Sequence, residues 1–321
     1  MKFSSARFSN IIFAVCALVL MTGPVATGYA QSNTWSSGAP MPTPTFGAAI
    51  GVIKGNVYVV SGATSSAVVN NNEIYNPKTN KWTTGAPIPT ARFVPASAVV
   101  NNILYVIGGS SNGSDALTVV EAYDPATNTW STKTPMPQGT NSMYAVAAKN
   151  IIYVVGGYVP GQYRVATVYS YNPATDSWKQ EASMKVGKSN PATGYLGGIL
   201  AAGGYGNNGD VTDNEAYSTA SNKWKTLAAI PTARSGSCFG TIKGAFYVAS
   251  GAGGGDNNTP VAVQEAYKAA TKSWTPLAST PQAVIAPASA VVSNKLYCFG
   301  GSNNGVLFQG VPVANLQIYR P

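Results

Sequence analysis

Six tryptophans, at positions 35, 82, 130, 178, 224 and 274, follow one another at intervals of 46 to 50 residues. Five have a tyrosine seven residues earlier, in NEIYNPKTNKW, EAYDPATNTW, VYSYNPATDSW, NEAYSTASNKW and QEAYKAATKSW, which supply Tyr75, Tyr123, Tyr171, Tyr217 and Tyr267. The sixth tyrosine, Tyr319, has no tryptophan after it, and Trp35 has no tyrosine before it. A fixed period of this length marks one supersecondary unit, copied, that buries its apolar face only against its neighbours. The two loose ends are complementary. They predict that NTW at 33–35 supplies the outer strand the last unit lacks, so that six units close into a ring with no long edge exposed.

Each unit reads as four strands. In unit two these are VPASAVV (94–100), ILYVIGG (103–109), LTVVEAYD (117–124) and NTWSTK (128–133), rich in β-branched and aromatic residues. Asn101-Asn102 suits a tight hairpin turn, and YDPATN and YNPATD are turns in which Asp or Asn bonds the backbone ahead of it. Glycine pairs end the second strand at 108–109, 156–157, 203–204 and 300–301, with Ser61-Gly62 and Ser250-Gly251 in units one and five. They read as close backbone approach or positive φ. Neither a helix nor a Lys-Ser pair follows them, so they are not phosphate loops. No helix is expected after residue 30.

A hydrophobic strand ending in Gly-Gly, then Glu-x-Tyr, a turn and Trp, resembles the kelch repeat. The resemblance covers residues 33–321 and implies an all-β, six-bladed propeller of four-stranded blades. Unit four departs with YSTASNKW, and unit three has Tyr169 where unit two has Glu121. Exported kelch propellers include copper oxidases that depend on histidine, and this chain has none. The same absence removes Ser-His-Asp and Cys-His catalysis and ordinary histidine-ligated zinc. Exported bacterial members also include the sialic-acid (N-acetylneuraminate) mutarotase, similar in blade number and export and needing no histidine. On that resemblance, Asp210 or Glu215 would take the carboxylate role and Arg234 the guanidinium role.

The first 30 residues read as a signal peptide: Lys2 and Arg7, then the apolar run 11–21, then GYA at 28–30. The domain layout is therefore signal peptide 1–30 and propeller 31–321, periplasmic or secreted, with no transmembrane segment after cleavage. Cys16 leaves with the peptide. Cys238 and Cys298 remain, either as one disulfide or as two buried thiols. Removing two basic residues from 20 leaves 18 against 11 acidic, or +7. The basic residues are scattered without a nucleic-acid module, so no nucleic acid is expected as partner.

Two sets of residues are candidates for a site. The long loops after the glycine pairs fall on the same face as the connections between blades. They carry Tyr158, Tyr163, Arg164, Tyr205, Asp210, Asp256 and Phe308, aromatic and polar groups of the kind that line sugar- or protein-binding rims. A second set begins the blades: alignment on IPTAR gives Thr45, Arg92, Thr140, Lys188, Arg234 and Val284. Arg92, Lys188 and Arg234 near the channel mouth are expected to gather an anion such as a carboxylate. The Glu-x-Tyr glutamates Glu73, Glu121, Glu215 and Glu265 recur with the blades and are expected to be structural. The reading is an exported binding protein for a glycan or a protein partner, using no cofactor or metal. The alternatives are a carbohydrate-acting enzyme such as a mutarotase and a structural envelope component.

Overall fold

Asn101 and Asn102 have φ of 52° and 62°, the left-handed pair that a two-residue hairpin requires and that asparagine tolerates. They join Ala96–Val100 to Ile103–Ile107, and Val120–Asp124 and Thr129–Lys133 complete an antiparallel sheet of four. This computed structural model describes Met1 and residues 33–255, 258–305 and 310–321. The expected signal peptide, Asp256 and Phe308 lie outside the described residues. Among those described there is no helix, and none long and apolar enough to cross a membrane.

Five further four-stranded sheets repeat the pattern, and their innermost strands contact one another in a closed cycle. Blades one to six have inner strands Ala49–Ile53, Ala96–Val100, Tyr144–Ala148, Ala192–Tyr195, Cys238–Ile242 and Ala288–Val292. The last blade is completed by Thr34–Ser37, which pairs with Leu316–Arg320. The expected closure by the N-terminal strand is thus observed. Expected strand 94–100 starts later, at Ala96, because Val94 is left-handed with φ 47° and Pro95 donates no hydrogen bond.

The repeated residues are the joints between blades. Each tyrosine lies opposite its tryptophan across the outer strand pair, with ring centroids 4.9–5.5 Å apart. The indole N–H donates across to a carbonyl just after the outer strand of the preceding blade: Trp82 to Ala39, Trp130 to Ala86, Trp178 to Thr134, Trp224 to Ala182, Trp274 to Ala228 and Trp35 to Ala278. Six apolar clusters fill the six gaps between blades, each built from two neighbouring sheets. Burying such faces is the main favourable term in folding. The Cys238–Cys298 disulfide forms between blades five and six.

The glycine pairs serve the loop face. Gly108 and Gly109 have φ of 58° and 96°, and a Cβ on Gly109 would lie 2.9 Å from the carbonyl oxygen of Phe93. Only glycine fits such an approach. Their turn brings the following loop back against the connection that precedes the inner strand, as in the bridge between Phe93 and Ser110.

Candidate functional site at the channel mouth

One residue at the start of each blade turns the chain into the channel: Gly47, Val94, Ser142, Asn190, Gly236 and Ala286, all with φ between 47° and 62°. Each donates its backbone N–H to the carbonyl of the preceding one, at 2.7–3.0 Å, and Gly47 closes the circle on Ala286. A valine in this region of φ/ψ is strained. The hydrogen-bonded circle holds it there and gives the channel a rigid collar with its backbone groups satisfied.

Below the collar, a cavity of about 290 Å³ is bounded by inner-strand residues such as Ile50, Val52, Val99 and Val291. Tyr144 and Phe239 meet edge-to-face in it, centroids 4.9 Å apart, and burial pushes the Tyr144 phenol up to about 12. Above the collar, a second cavity of about 280 Å³ opens on the loop face. Its wall is two-sided. Phe46, Phe93 and Ile285, from blades one, two and six, make an apolar half; Asn141, Ser142, Ser189 and Asn190 make a polar half.

Over the polar half stand two short hairpins, Tyr158–Val159 with Tyr163–Arg164 and Tyr205–Gly206 with Gly209–Asp210. The Arg164 N–H donates to Asn207 Oδ1 and ties them together. The Arg164 guanidinium carbon lies 4.6 Å from the centroid of the Tyr205 ring and 5.7 Å from that of Tyr158, within cation–π range. No carboxylate among the described residues is in ion-pair contact with it, and its buried Nε has no hydrogen-bond partner. Tyr163, 61% exposed and with φ 63°, stands at the rim.

Of the loop-face candidates, the structure therefore brings together Tyr158, Tyr163, Arg164 and Tyr205. Asp210 stands opposite Tyr205 in its hairpin, outside the cavity lining, and accepts a hydrogen bond from the Gly255 N–H of the next blade's loop. Phe308 falls outside the described residues.

The expected anion-gathering ring of Arg92, Lys188 and Arg234 is corrected. All three side chains are completely buried, inside their blades and not in the mouth. Arg92 donates to Glu121 and to the carbonyls of Thr90, Gly108 and Val119. Arg234 bonds Glu265 at 2.5 Å and the carbonyls of Thr232 and Val248. Lys188 lies 3.6 Å from Glu215 and donates to the carbonyls of Ala201 and Asp213. Desolvation lowers the Arg92 pKa to about 10 and lowers that of Lys188 and Arg234 as well. Successive residues on an extended chain point to opposite sides. At five of the six aligned positions the residue that follows, Phe46, Phe93, Asn141, Ser189 or Ile285, is the one that lines the mouth. The IPTAR register is therefore one residue out of phase with the cavity.

The glutamates expected to be structural are so in three blades, as partners of these cations; Glu215 also accepts the Lys185 N–H. No cluster of three or more metal-ligating His, Cys, Asp or Glu occurs among the described residues.

The kelch motif matches residues 44–89, 95–137 and 145–185, the first three blades, and the other three repeat their geometry. This chain is a kelch-repeat β-propeller. The propeller is similar to a solved structure titled "Structure of YjhT", with 18% identity, a TM-score of 0.73, and coverage of 87% of this chain and 96% of that one. At that identity the likeness speaks for the fold. No curated protein matches the chain in sequence.

Proposed function

We propose that this kelch propeller is exported to the periplasm or medium and recognises a small acidic carbohydrate at the channel mouth. The observation that carries the reading is Arg164, a planar cation in cation–π contact with both Tyr158 and Tyr205 and with no carboxylate partner among the described residues. A guanidinium flanked in this way is preorganised for a ligand carboxylate. The two-sided wall suits a sugar acid, whose hydroxyls meet Asn141, Ser142, Ser189 and Asn190 while its C–H face meets Phe46, Phe93 and Ile285. The disulfide supports export, since such bonds persist in oxidising compartments.

Titration calorimetry of residues 31–321 with N-acetylneuraminate, glucuronate and neutral N-acetylglucosamine tests the proposal. The acids bind and the neutral sugar does not, and Arg164→Ala weakens acid binding at least tenfold, equivalent to about 1.4 kcal/mol. Equal affinity in the variant sinks it.

A second reading, a carbohydrate-acting enzyme of the mutarotase kind, draws support from the likeness in fold. The Tyr158 and Tyr163 side chains line the same cavity and could relay a proton there. Anomer exchange of N-acetylneuraminate followed by proton NMR separates the readings: acceleration that disappears in Arg164→Ala makes the site catalytic.

A further inference from the structure

Blade one departs from its neighbours at the slot that holds the buried cation elsewhere. Blades two, four and five place Arg92, Lys188 and Arg234 against Glu121, Glu215 and Glu265. Blade six has lost both charges together: Val284 replaces the cation and Gln317 the acid, and Gln317 and Asn315 hydrogen-bond Gln282. Blade three has Thr140 with Tyr169. Blade one alone keeps the acid without the cation, pairing Glu73 with Thr45.

The consequence is visible in its polar atoms. Glu73 is 3% exposed and Thr45 1%. Glu73 Oε2, Thr45 Oγ1 and Asn71 Oδ1 are all buried, and none has a hydrogen-bond partner. Asn71 lies two residues before Glu73, just ahead of the strand Asn72–Asn76; its counterpart in blade six, Asn315, donates to Gln282. The carbonyls equivalent to those that hold the Arg92 guanidinium, at Gly108 and Val119, belong here to Ser61 and Asn71. A buried carboxylate without a counter-charge is strongly disfavoured. What blade one brings to that place by register is a set of oxygens and one negative charge, where blades two, four and five put a positive one.

We propose that this slot binds a hard metal cation, calcium foremost, in the place of the missing arginine. An all-oxygen donor set suits calcium, whose ligand geometry is flexible, better than magnesium, which demands a near-ideal octahedron. A single carboxylate puts the expected Kd on the order of 10⁻⁴–10⁻³ M, the range of weak extracellular modules.

The test is thermal unfolding and calorimetry of the chelator-treated full propeller, titrated with calcium, magnesium, sodium and potassium chlorides at constant ionic strength. Calcium is expected to raise Tm by roughly 3–8 °C when it reaches a hundredfold excess over Kd. Glu73→Gln abolishes the shift. Thr45→Arg, which rebuilds the arrangement of blade two, abolishes it while leaving the protein at least as stable without metal as the wild type is. A wild-type Tm that responds equally to all four salts overturns the proposal, as does a calcium shift that survives in both variants. Because the wild-type titration stands alone, misfolding of either variant does not blunt the test.

Discussion

Trp35 and Tyr319, 284 residues apart in the chain, face each other across the strand pair that closes the ring, with ring centroids 5.1 Å apart. The Trp35 indole also donates to the Ala278 carbonyl and the Gln264 side chain of blade five. One side chain therefore joins the last blade to itself and to its neighbour. Trp35→Ala is expected to destabilise the propeller by about 2–4 kcal/mol, below the full range for a deeply buried ring because Trp35 keeps some exposure. Urea unfolding measures it. Trp35→Phe, which keeps a ring and loses the hydrogen bonds, should fall between the two.

Arg92 and Glu121 form an ion pair inside blade two with both side chains out of water. Removing one partner leaves a buried charge, so Glu121→Leu or Arg92→Met alone is expected to cost about 3–5 kcal/mol. The double variant Arg92→Met/Glu121→Leu should recover most of that. Unfolding free energies of the four proteins, taken as a double-mutant cycle, check the coupling. Equal losses in the single and double variants would mean that the guanidinium matters through its carbonyl contacts and not through the glutamate.

Lys272 occupies a left-handed position, φ 54°, that holds asparagine or aspartate in the other five blades. There the side-chain oxygen accepts from the blade's tyrosine hydroxyl and from a backbone N–H of the preceding blade, as Asn128 does from Tyr123 and Ala86. Lys272→Asn should restore both bonds, to Tyr267 and to the Ala228 N–H. A stabilisation of about 1 kcal/mol is expected. Calorimetry should record it as a Tm rise of about 2–4 °C.

Asp176 fills the same position in blade three, accepting from the Tyr171 hydroxyl at 2.5 Å and the Thr134 N–H at 2.9 Å. The Tyr171 hydrogen bond, aided by that of Thr134, holds its carboxyl below the usual aspartate range. A depressed folded pKa adds stability that is fully present above the unfolded value near 3.8 and is lost as pH falls through the folded one. Asp176→Asn keeps the acceptor and removes the titration. Its unfolding free energy should fall less steeply between about pH 5 and pH 2 than the wild type's. Parallel acid profiles would assign the loss to other carboxylates.

The Cys238–Cys298 bond closes a loop of 60 residues between neighbouring blades. Reduction is expected to lower stability by up to about 4 kcal/mol through the entropy of the unfolded chain. Urea midpoints with and without a reductant able to open it test this.

The ring was legible in the chain because tryptophan and tyrosine at a fixed spacing do the same thing in every blade. Their rings pair within a sheet and their indoles bond the previous one, so selection on one local geometry leaves a period that can be read. The unmatched Trp35 and Tyr319 even specified how the circle closes. Tyr158, Tyr163, Arg164 and Tyr205 were legible as loop-face candidates from their place after the glycine pairs, though not that Arg164 would lie over two of the rings.

Tertiary structure decided the rest. Whether Arg92 looks into the channel or back into its own blade depends on the strand's two-residue alternation, which the left-handed collar at Val94 and its five counterparts sets, and no residue type marks that collar. Phe46, Phe93, Asn141 and Ser189 became a wall only when the collar brought six connections, 46 to 50 residues apart, around one axis. The meeting of Cys238 with Cys298, and of Glu73 with an uncharged neighbour at the slot where other blades hold a cation, likewise needed the blades in place. Repetition records what each unit shares. Chemistry that arises between unlike units is fixed only by their arrangement in space.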